Sequence, residues 1–204
     1  MIPPTTYALF VAASLALILI PGPNHLYITA RGLAQGRAAG LASALGVEIG
    51  TLVHIAAAAA GLSYVISQSA TLFAIVKWAG VAYLVYLGIR AFMGKDAETG
   101  TPLRQPLRKV FLEGVLVNVL NPKVALFFLA FLPQFVDPGA GSPTVQVVVF
   151  GLTALLLGLV SDVVYAFAAG ALGRRLRRRA RALRYVSGVV YLGLGVATAF
   201  AGRR

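Results

Sequence analysis

The sequence predicts an all-α integral membrane protein in which six transmembrane helices form a 3+3 inverted repeat, with the first helix of each half broken. Of the 204 residues, 59% are hydrophobic and only 12% are charged, and the mean hydropathy is +0.84. A soluble domain carries about a quarter charged residues. Two proline-containing stretches, one in each half of the chain, interrupt otherwise apolar segments and predict the broken helices.

Six apolar segments are each long enough to cross a bilayer, which takes about 20 residues of helix. They cover approximately residues 5–30, 38–63, 70–92, 110–136, 145–172 and 185–202. We interpret residues 1–204 as a single membrane domain with two three-helix halves, 1–92 and 110–204, joined by a cytoplasmic linker, 93–109. Because three spans is an odd number, a duplicated half would insert upside down, as in many secondary transporters.

Most basic residues lie in alternate connections between these segments. Lys and Arg number two in 31–37, five in 90–109 and seven in 174–184, but none in 64–69 or 137–144. The positive-inside rule therefore predicts that the basic loops face the cytoplasm and that both termini face outward. We expect the segment 174–184, which has leucines at helical spacing, to lie against anionic lipid rather than nucleic acid.

The first predicted break is the stretch Leu19–Asn24. Pro21 and Pro23 have no amide hydrogen, so they free the carbonyls at positions 17 and 19, and Gly22 lets the chain bend. Such freed groups cost several kcal/mol each in hydrocarbon, so a break at this depth persists only inside protein or beside water.

The second predicted break is Asn118–Lys123, where Pro122 frees the carbonyl of Asn118. Helices that restart after Pro23 and Pro122 present unpaired amides, which favour an anionic group. Paired breaks of this kind indicate a transport site, and we expect the two breaks to line it. The residues assigned to substrate binding are Pro21, Gly22, Pro23, Asn24, Asn118, Asn121, Pro122 and Lys123.

Two carboxylates lie deep in predicted spans, where an ionisable group is costly and marks a functional candidate. Asp162 shares a helical stripe with small and polar residues, whereas Glu48 lies about a quarter turn off such a stripe. Each could bind a substrate ammonium or carry a coupling proton, since burial disfavours a charged carboxyl. The alternative is a neutral or paired carboxyl that only holds helices together. We assign proton coupling to Asp162 and Glu48.

Three other polar residues at membrane depth have two interpretations each. Lys123 needs an anion or carbonyl groups, so it either contacts a substrate carboxylate or pairs with Asp162 or Glu48. His25, beside the first break, and His54, in the second span, are interpreted as packing residues in preference to proton relays.

The residue types present exclude the chemistry of most enzymes. The sequence has no cysteine, two histidines far apart and no glycine-rich phosphate loop, so we predict no enzymatic activity and no cofactor. A net charge of +12 would indicate nucleic-acid binding in a soluble protein. Here most basic residues lie between apolar segments, as membrane orientation requires, so we predict no nucleic-acid partner.

A family resemblance rests on several motifs that occur in one order over nearly the whole chain. They are Pro21–Asn24, Arg31–Leu41, Ala44–Gly46, Gly80–Gly88, Phe111–Gly114, Asn118–Lys123 and Phe131–Phe135, with Asp162 and Tyr165 in the fifth span. With these motifs the chain resembles the lysine exporter and homoserine/threonine resistance family of bacterial amino-acid exporters, LysE/RhtB.

The resemblance implies a bacterial inner-membrane secondary transporter that exports amino acids or close derivatives, driven by a proton gradient or the membrane potential. It leaves the substrate open among basic, neutral and hydroxylated amino acids. Two alternatives stay open: an exporter of another small solute, such as a metal cation, and a membrane scaffold that transports nothing. Faces of small residues permit a homodimer.

Overall fold

The computed structural model describes residues 2–62 and 104–178, with isolated helical positions between 71 and 93 and between 185 and 199. All regular elements within these ranges are helical, which confirms the predicted all-α membrane fold. The helices are α1 (Pro4–Ile18), α2 (Pro23–Gln35), α3 (Arg37–Ala57), α4 (Leu107–Val119), α5 (Pro122–Leu126) and α6 (Pro143–Arg178). Shorter helical turns follow α3 at Ala58–Leu62 and α5 at Phe127–Phe131, Leu132–Phe135 and Pro138–Ala140.

Two helical stretches, Arg37–Gly61 and Pro143–Ala169, are each long and apolar enough to cross a membrane. Two further candidate spans are bent helix pairs: α1 and α2 meet at 52°, and α4 meets the helical stretch Pro122–Phe135 at 46°. The two predicted breaks are therefore confirmed. The described part of the chain holds up to four spans, and the inverted repeat and the division into two halves stay predictions.

The predicted third and sixth spans, 70–92 and 185–202, lie almost wholly outside the described residues, as does most of the predicted linker 93–109. The backbone of the basic segment 174–184 is helical as far as Arg178. Its side chains also lie outside the described part, so its contact with lipid stays a prediction.

Proline begins each helix that follows a break. Pro23 and Pro122 occupy the first position of α2 and α5, where the missing amide hydrogen has no partner to lose. The preceding helices end in tighter turns: the amide of Ile20 donates to the carbonyl of Leu17 at 3.3 Å, so that carbonyl is not free as predicted.

Helix α3 packs against α2, α4 and α6 and is the centre of the described bundle. Its contact with α4 is backbone to backbone, because a Cβ added at Gly46 would overlap the carbonyl oxygen of Phe111. A Cβ added at Gly114 would lie 2.7 Å from the carbonyl oxygen of Ser43. Small residues therefore set how closely α3 and α4 approach each other.

The same packing joins α2 and α3 to α6. A Cβ at Gly32 would lie 2.7 Å from Cβ of Ala169, and one at Gly40 would lie 3.1 Å from Cβ of Ala166. Gly32 and Gly40 are therefore positions of close helix packing. Gly36 differs, because its φ of 89° makes the turn between α2 and α3 and no atom lies within 4 Å of an added Cβ.

An aromatic cluster forms a buried core between α1, α6 and the helical turns that follow α5. Phe10 of α1 lies 4.5 Å from Phe150 of α6 and 5.2 Å from Phe135, measured between ring centroids. Phe128 and Phe131 belong to the same buried core. These rings close the bundle beside the two breaks.

Candidate functional site

A cavity of about 100 Å³ lies between the two breaks and is lined by residues from all six helices. This is space enough for several water molecules. Seven of the ten predicted site residues line it: Gly22, Asn24, Glu48, Asn118, Asn121, Lys123 and Asp162. The prolines Pro21, Pro23 and Pro122 do not line the cavity; they shape the breaks from which the lining residues project.

Side chains connect the two breaks directly. The Asn121 amide Nδ2 donates to Oδ1 of Asn24 at 2.8 Å. From the same break, Nζ of Lys123 donates to the carbonyl oxygen of Ile20 at 2.9 Å. Two points almost a hundred residues apart in sequence are thus held within hydrogen-bonding distance.

Lys123 does not make the ion pair that was one of its predicted interpretations. Its ammonium is hydrogen-bonded to a backbone carbonyl, and its side chain passes over Gly22, where an added Cβ would lie 3.4 Å from Cδ and 3.6 Å from Nζ. The partner of Asp162 in the described ion pairs is instead His25. The long lysine side chain reaches the open end of α1, where a carbonyl would otherwise lack a donor.

The two helix starts differ in their free amides. At α5, the amide of Lys123 donates to Oδ1 of Asn121, and the amides of Val124 and Ala125 donate to the Asn121 carbonyl. The expectation that amides after Pro122 are unpaired is therefore wrong, because Asn121 caps them.

At α2, by contrast, the helix is preceded by Gly22, which has no side chain to act as a cap. The amides of Asn24 and His25 have no hydrogen-bond partner among the residues that the structure describes. The positive end of the cavity therefore consists of the α2 amides together with the Lys123 ammonium beside Gly22.

The acidic wall of the cavity is built by α3 and α6. Glu48 is only 7% exposed, and a Cβ added at Gly158 would lie 2.9 Å from its Oε1. Its carboxyl lines the same cavity as Thr51 and Asp162, and its Oε2 has no hydrogen-bond partner in the described part of the chain. The sequence placed Glu48 off the packing stripe, but α3 is covered by three helices, so more than one of its faces is buried.

Asp162 pairs with a residue that the sequence interpretation left outside the site. Its Oδ1 lies 3.2 Å from Nε2 of His25, and Oγ of Ser161 lies 3.3 Å from the same nitrogen. The imidazole also stacks on the ring of Tyr165, with 4.1 Å between centroids. The available sequence signal was the position of His25, one residue beyond the first break.

His54 behaves as the packing residue that the sequence predicted. Its ring lies parallel to Phe128 at 5.7 Å, and its Nε2 is 3.3 Å from the carbonyl oxygen of Asn118. That carbonyl, freed by Pro122, also accepts from the amide of Asn121 at 2.9 Å. Within the described ranges no three His, Asp or Glu side chains converge in the manner of a metal site.

The remainder of the cavity wall is apolar. It includes Leu17, Ile18, Val124, Leu126, Phe127, Phe128 and Phe131. A cavity with a cationic end, an acidic wall and an apolar remainder can hold a small molecule that carries both charges and an apolar body.

A second polar cluster joins α2 to α4 away from the cavity. Arg31 is 5% exposed and forms an ion pair of 2.5 Å with Glu113. Tyr27 donates to the carbonyl of Val110 at 2.7 Å, and the side chain of Gln35 accepts from Arg31 at 3.2 Å. The sequence interpretation counted Arg31 as a loop residue, but it lies within α2, where Glu113 supplies its counter-charge.

Comparison with known proteins agrees with these observations. The profile described as LysE type translocator matches residues 15–202. An uncharacterized membrane protein of Pseudomonas aeruginosa is 32% identical over 214 residues, which covers 97% of this chain and 96% of the relative. A leucine efflux protein of Klebsiella pneumoniae is 30% identical over 164 residues, which covers 79% of this chain and 76% of that protein. No solved structure matches the chain significantly.

Proposed function

The chain belongs to the LysE type translocators and is a bacterial membrane transport protein, and from this premise we propose that it exports an aliphatic amino acid from the cytoplasm. Export is coupled to the proton gradient or the membrane potential. The observation that carries the proposal is that groups of both charges line the cavity between the two breaks: the ammonium of Lys123 and the carboxyl groups of Glu48 and Asp162.

The two charged groups of an amino acid match the cationic and the acidic side chains that line this cavity. The substrate carboxylate would lie at the Lys123 ammonium and at the unpaired amides of Asn24 and His25, which also favour an anion by the helix dipole. The substrate ammonium would lie at Glu48 and Asp162, of which Glu48 keeps one carboxylate oxygen without a partner among the described residues. Buried charges of this kind need partners, and a zwitterion supplies one for each end.

The apolar lining supports an aliphatic side chain. Leucine, valine and phenylalanine side chains form most of the wall away from the charged groups. Burying a leucine side chain there contributes about 2 kcal/mol, whereas a second charged group would lose its hydration without a partner. The leucine efflux proteins among the relatives support the same substrate class.

The other predicted residues take supporting roles in this proposal. Asn24, Asn118 and Asn121 provide polar groups at the cavity wall, and Pro21, Gly22, Pro23 and Pro122 keep the breaks open. Asp162 and Glu48 couple proton movement to the substrate, because their carboxyl groups can pair either with the substrate ammonium or with a protonated group. Cytoplasmic basic loops, anionic lipid at 174–184 and a homodimer stay predictions.

The test uses the purified chain in proteoliposomes with an imposed pH gradient. Labelled leucine, valine, threonine, lysine and glutamate are offered separately, and we expect leucine and valine to move at the highest rates. The variant Asp162→Asn should lose gradient-driven movement while remaining folded, whereas Asp137→Asn, at an exposed turn, should behave as the parent.

Movement of lysine or glutamate in preference to leucine would overturn the aliphatic substrate. If no amino acid moves and Asp162→Asn is also thermally destabilised, Asp162 holds helices together and the scaffold interpretation is favoured. A melting temperature for each variant in detergent separates these results from misfolding.

A further inference from the structure

We propose that His25 takes up the coupling proton and that Asp162 holds the protonated imidazole, so that the proton and the substrate ammonium compete for one carboxylate. This inference rests on the proposed function and deepens it by naming the group that accepts the proton. The sequence interpretation treated His25 as a packing residue, and the structure places it in the wall of the cavity.

The first observation is the geometry of the His25–Asp162 pair. His25 comes from α2, the second helix of a bent pair, and Asp162 comes from the long helix α6. The distance between Nε2 of His25 and Oδ1 of Asp162 is 3.2 Å. Both are almost fully buried, at 5% and 3% exposure. Stacking against Tyr165 and the contact with Ser161 fix the plane of the imidazole.

The second observation is the unused ring nitrogen. With Nε2 directed at Asp162, the other nitrogen, Nδ1, is buried and has no hydrogen-bond partner among the described residues. A neutral imidazole has one donor and one acceptor nitrogen, so an Nε2–H donor leaves Nδ1 as a bare acceptor. That acceptor can take a proton from water that enters the cavity, and histidine does so in the physiological pH range more readily than other side chains.

The charged groups that face His25 are the ones that handle the substrate. Asp162 and Tyr165 face it from α6, and Glu48 and Lys123 line the same cavity from α3 and α5. The other described charged contact of α2 is with α4, where Arg31 of α2 and Glu113 of α4 neutralise each other. Protonation of His25 therefore adds one positive charge directly beside the acidic wall.

This placement couples the proton to the substrate by competition. When His25 is neutral, the Asp162 carboxylate can accept the substrate ammonium. When a proton adds to Nδ1, the imidazolium pairs with Asp162 and the ammonium loses its counter-charge. The proton enters Nδ1 from the outer water and leaves it to the cytoplasmic water, so each cycle moves one proton inward and one zwitterion outward.

The experiment compares two kinds of transport in proteoliposomes with leucine as the probe. Exchange of labelled for unlabelled leucine needs substrate binding and the conformational change but no net proton movement. Gradient-driven movement needs substrate binding, the conformational change and net proton movement. For His25→Gln, whose amide can still donate to Asp162 but cannot titrate, we expect exchange to persist and gradient-driven movement to fall about tenfold or more, within the usual range of a coupling between two sites.

The matched control is His54→Gln, at the chain's other histidine, which packs on Phe128 outside the cavity lining. It should keep both exchange and gradient-driven movement. Full gradient coupling in His25→Gln would overturn the inference and leave the proposed function intact. Absence of leucine movement in the parent protein, by either assay, would instead overturn the proposed function.

A second measurement keeps the inference testable if His25→Gln does not fold. Because the chain has only two histidines, ring-labelled protein gives two sets of imidazole signals in a magnetic resonance spectrum, and His54→Gln assigns them. We expect the His25 signal to titrate over the pH range in which leucine transport depends on pH, and to titrate at a different pH when leucine is added. A His25 signal that does not titrate there would overturn the inference.

Discussion

The ammonium of Lys123, at the start of α5, donates a hydrogen bond of 2.9 Å to the carbonyl of Ile20, at the end of α1. Each of these residues belongs to a break in a different half of the chain. The bond satisfies a backbone acceptor that would be costly to leave unpaired at membrane depth. It also fixes a cation beside Gly22, where the proposed substrate carboxylate would bind.

The substitution Lys123→Met removes that donor and the positive charge while keeping a long apolar stem. An unsatisfied buried acceptor costs about 1–3 kcal/mol, so we expect a lower melting temperature in detergent and little or no leucine transport. The control is Lys109→Met, at an exposed position of α4, which should change neither measurement. A fully active Lys123→Met protein would remove this lysine from the proposed site.

The substitution Gly158→Ala tests the acidic wall without removing a charge. The new Cβ would lie 2.9 Å from Oε1 of Glu48, so the flexible glutamate side chain must move. We expect a higher KM for leucine with a nearly unchanged melting temperature, because the atom displaced is the end of a side chain and not backbone. An unchanged KM would show that the position of the Glu48 carboxyl does not affect substrate binding.

The substitution Gly46→Ala tests the backbone contact between α3 and α4. Its Cβ would overlap the carbonyl oxygen of Phe111, so the helices must separate, and overpacking of this kind typically costs about 1–3 kcal/mol. Thermal unfolding in detergent should show the loss. The matched control is Gly61→Ala, where no atom of the described residues lies within 4 Å of an added Cβ, and equal stability of the two variants would contradict the packing described.

The ion pair of Arg31 with Glu113 predicts an asymmetric result. Glu113→Gln removes the carboxylate that pairs with a buried guanidinium and should cost about 3 kcal/mol, whereas Arg31→Gln removes the buried charge itself and should cost less. The double variant should lose less stability than the sum of the two single losses, and its stability should be close to that of Arg31→Gln. Melting temperatures of the three variants decide this, and additive losses would mean that the pair is not coupled.

Membrane orientation can be tested with a reporter fused after Arg204. Because the basic connections are expected in the cytoplasm, the carboxyl terminus is expected outside, where alkaline phosphatase is active. A fusion after Arg37, in the first basic connection, is the internal control and should be inactive. The opposite pattern would reverse the proposed direction of every span.

Much of the candidate site was predictable because proline acts locally. Pro21 and Pro122 each remove an amide hydrogen whatever the surrounding fold, so the positions of both breaks followed from the sequence and are confirmed. Apolar composition likewise predicted the membrane fold, since only helices and closed barrels satisfy the backbone in hydrocarbon.

Partner choice was not predictable in the same way. Lys123 had an acidic partner among its interpretations but bonds to Ile20, and Asp162 was not matched with His25, which is its partner. Helical periodicity specifies which residues share a face, but it does not specify which face of which neighbouring helix lies opposite. Asn121 shows the same limit, because its capping of α5 depends on a side-chain rotamer rather than on spacing.

The sequence by itself determined that this chain is an all-α membrane protein, where its helices break, and that its charged groups at membrane depth are few. These properties depend on composition and on residues close together in the chain. The tertiary structure alone decided that Gly22, Glu48, Lys123 and Asp162 share one cavity and that His25 joins them. The physical reason is that crossing geometry is set by contacts between small residues far apart in sequence, such as Gly46 with Gly114, and those contacts bring the breaks together.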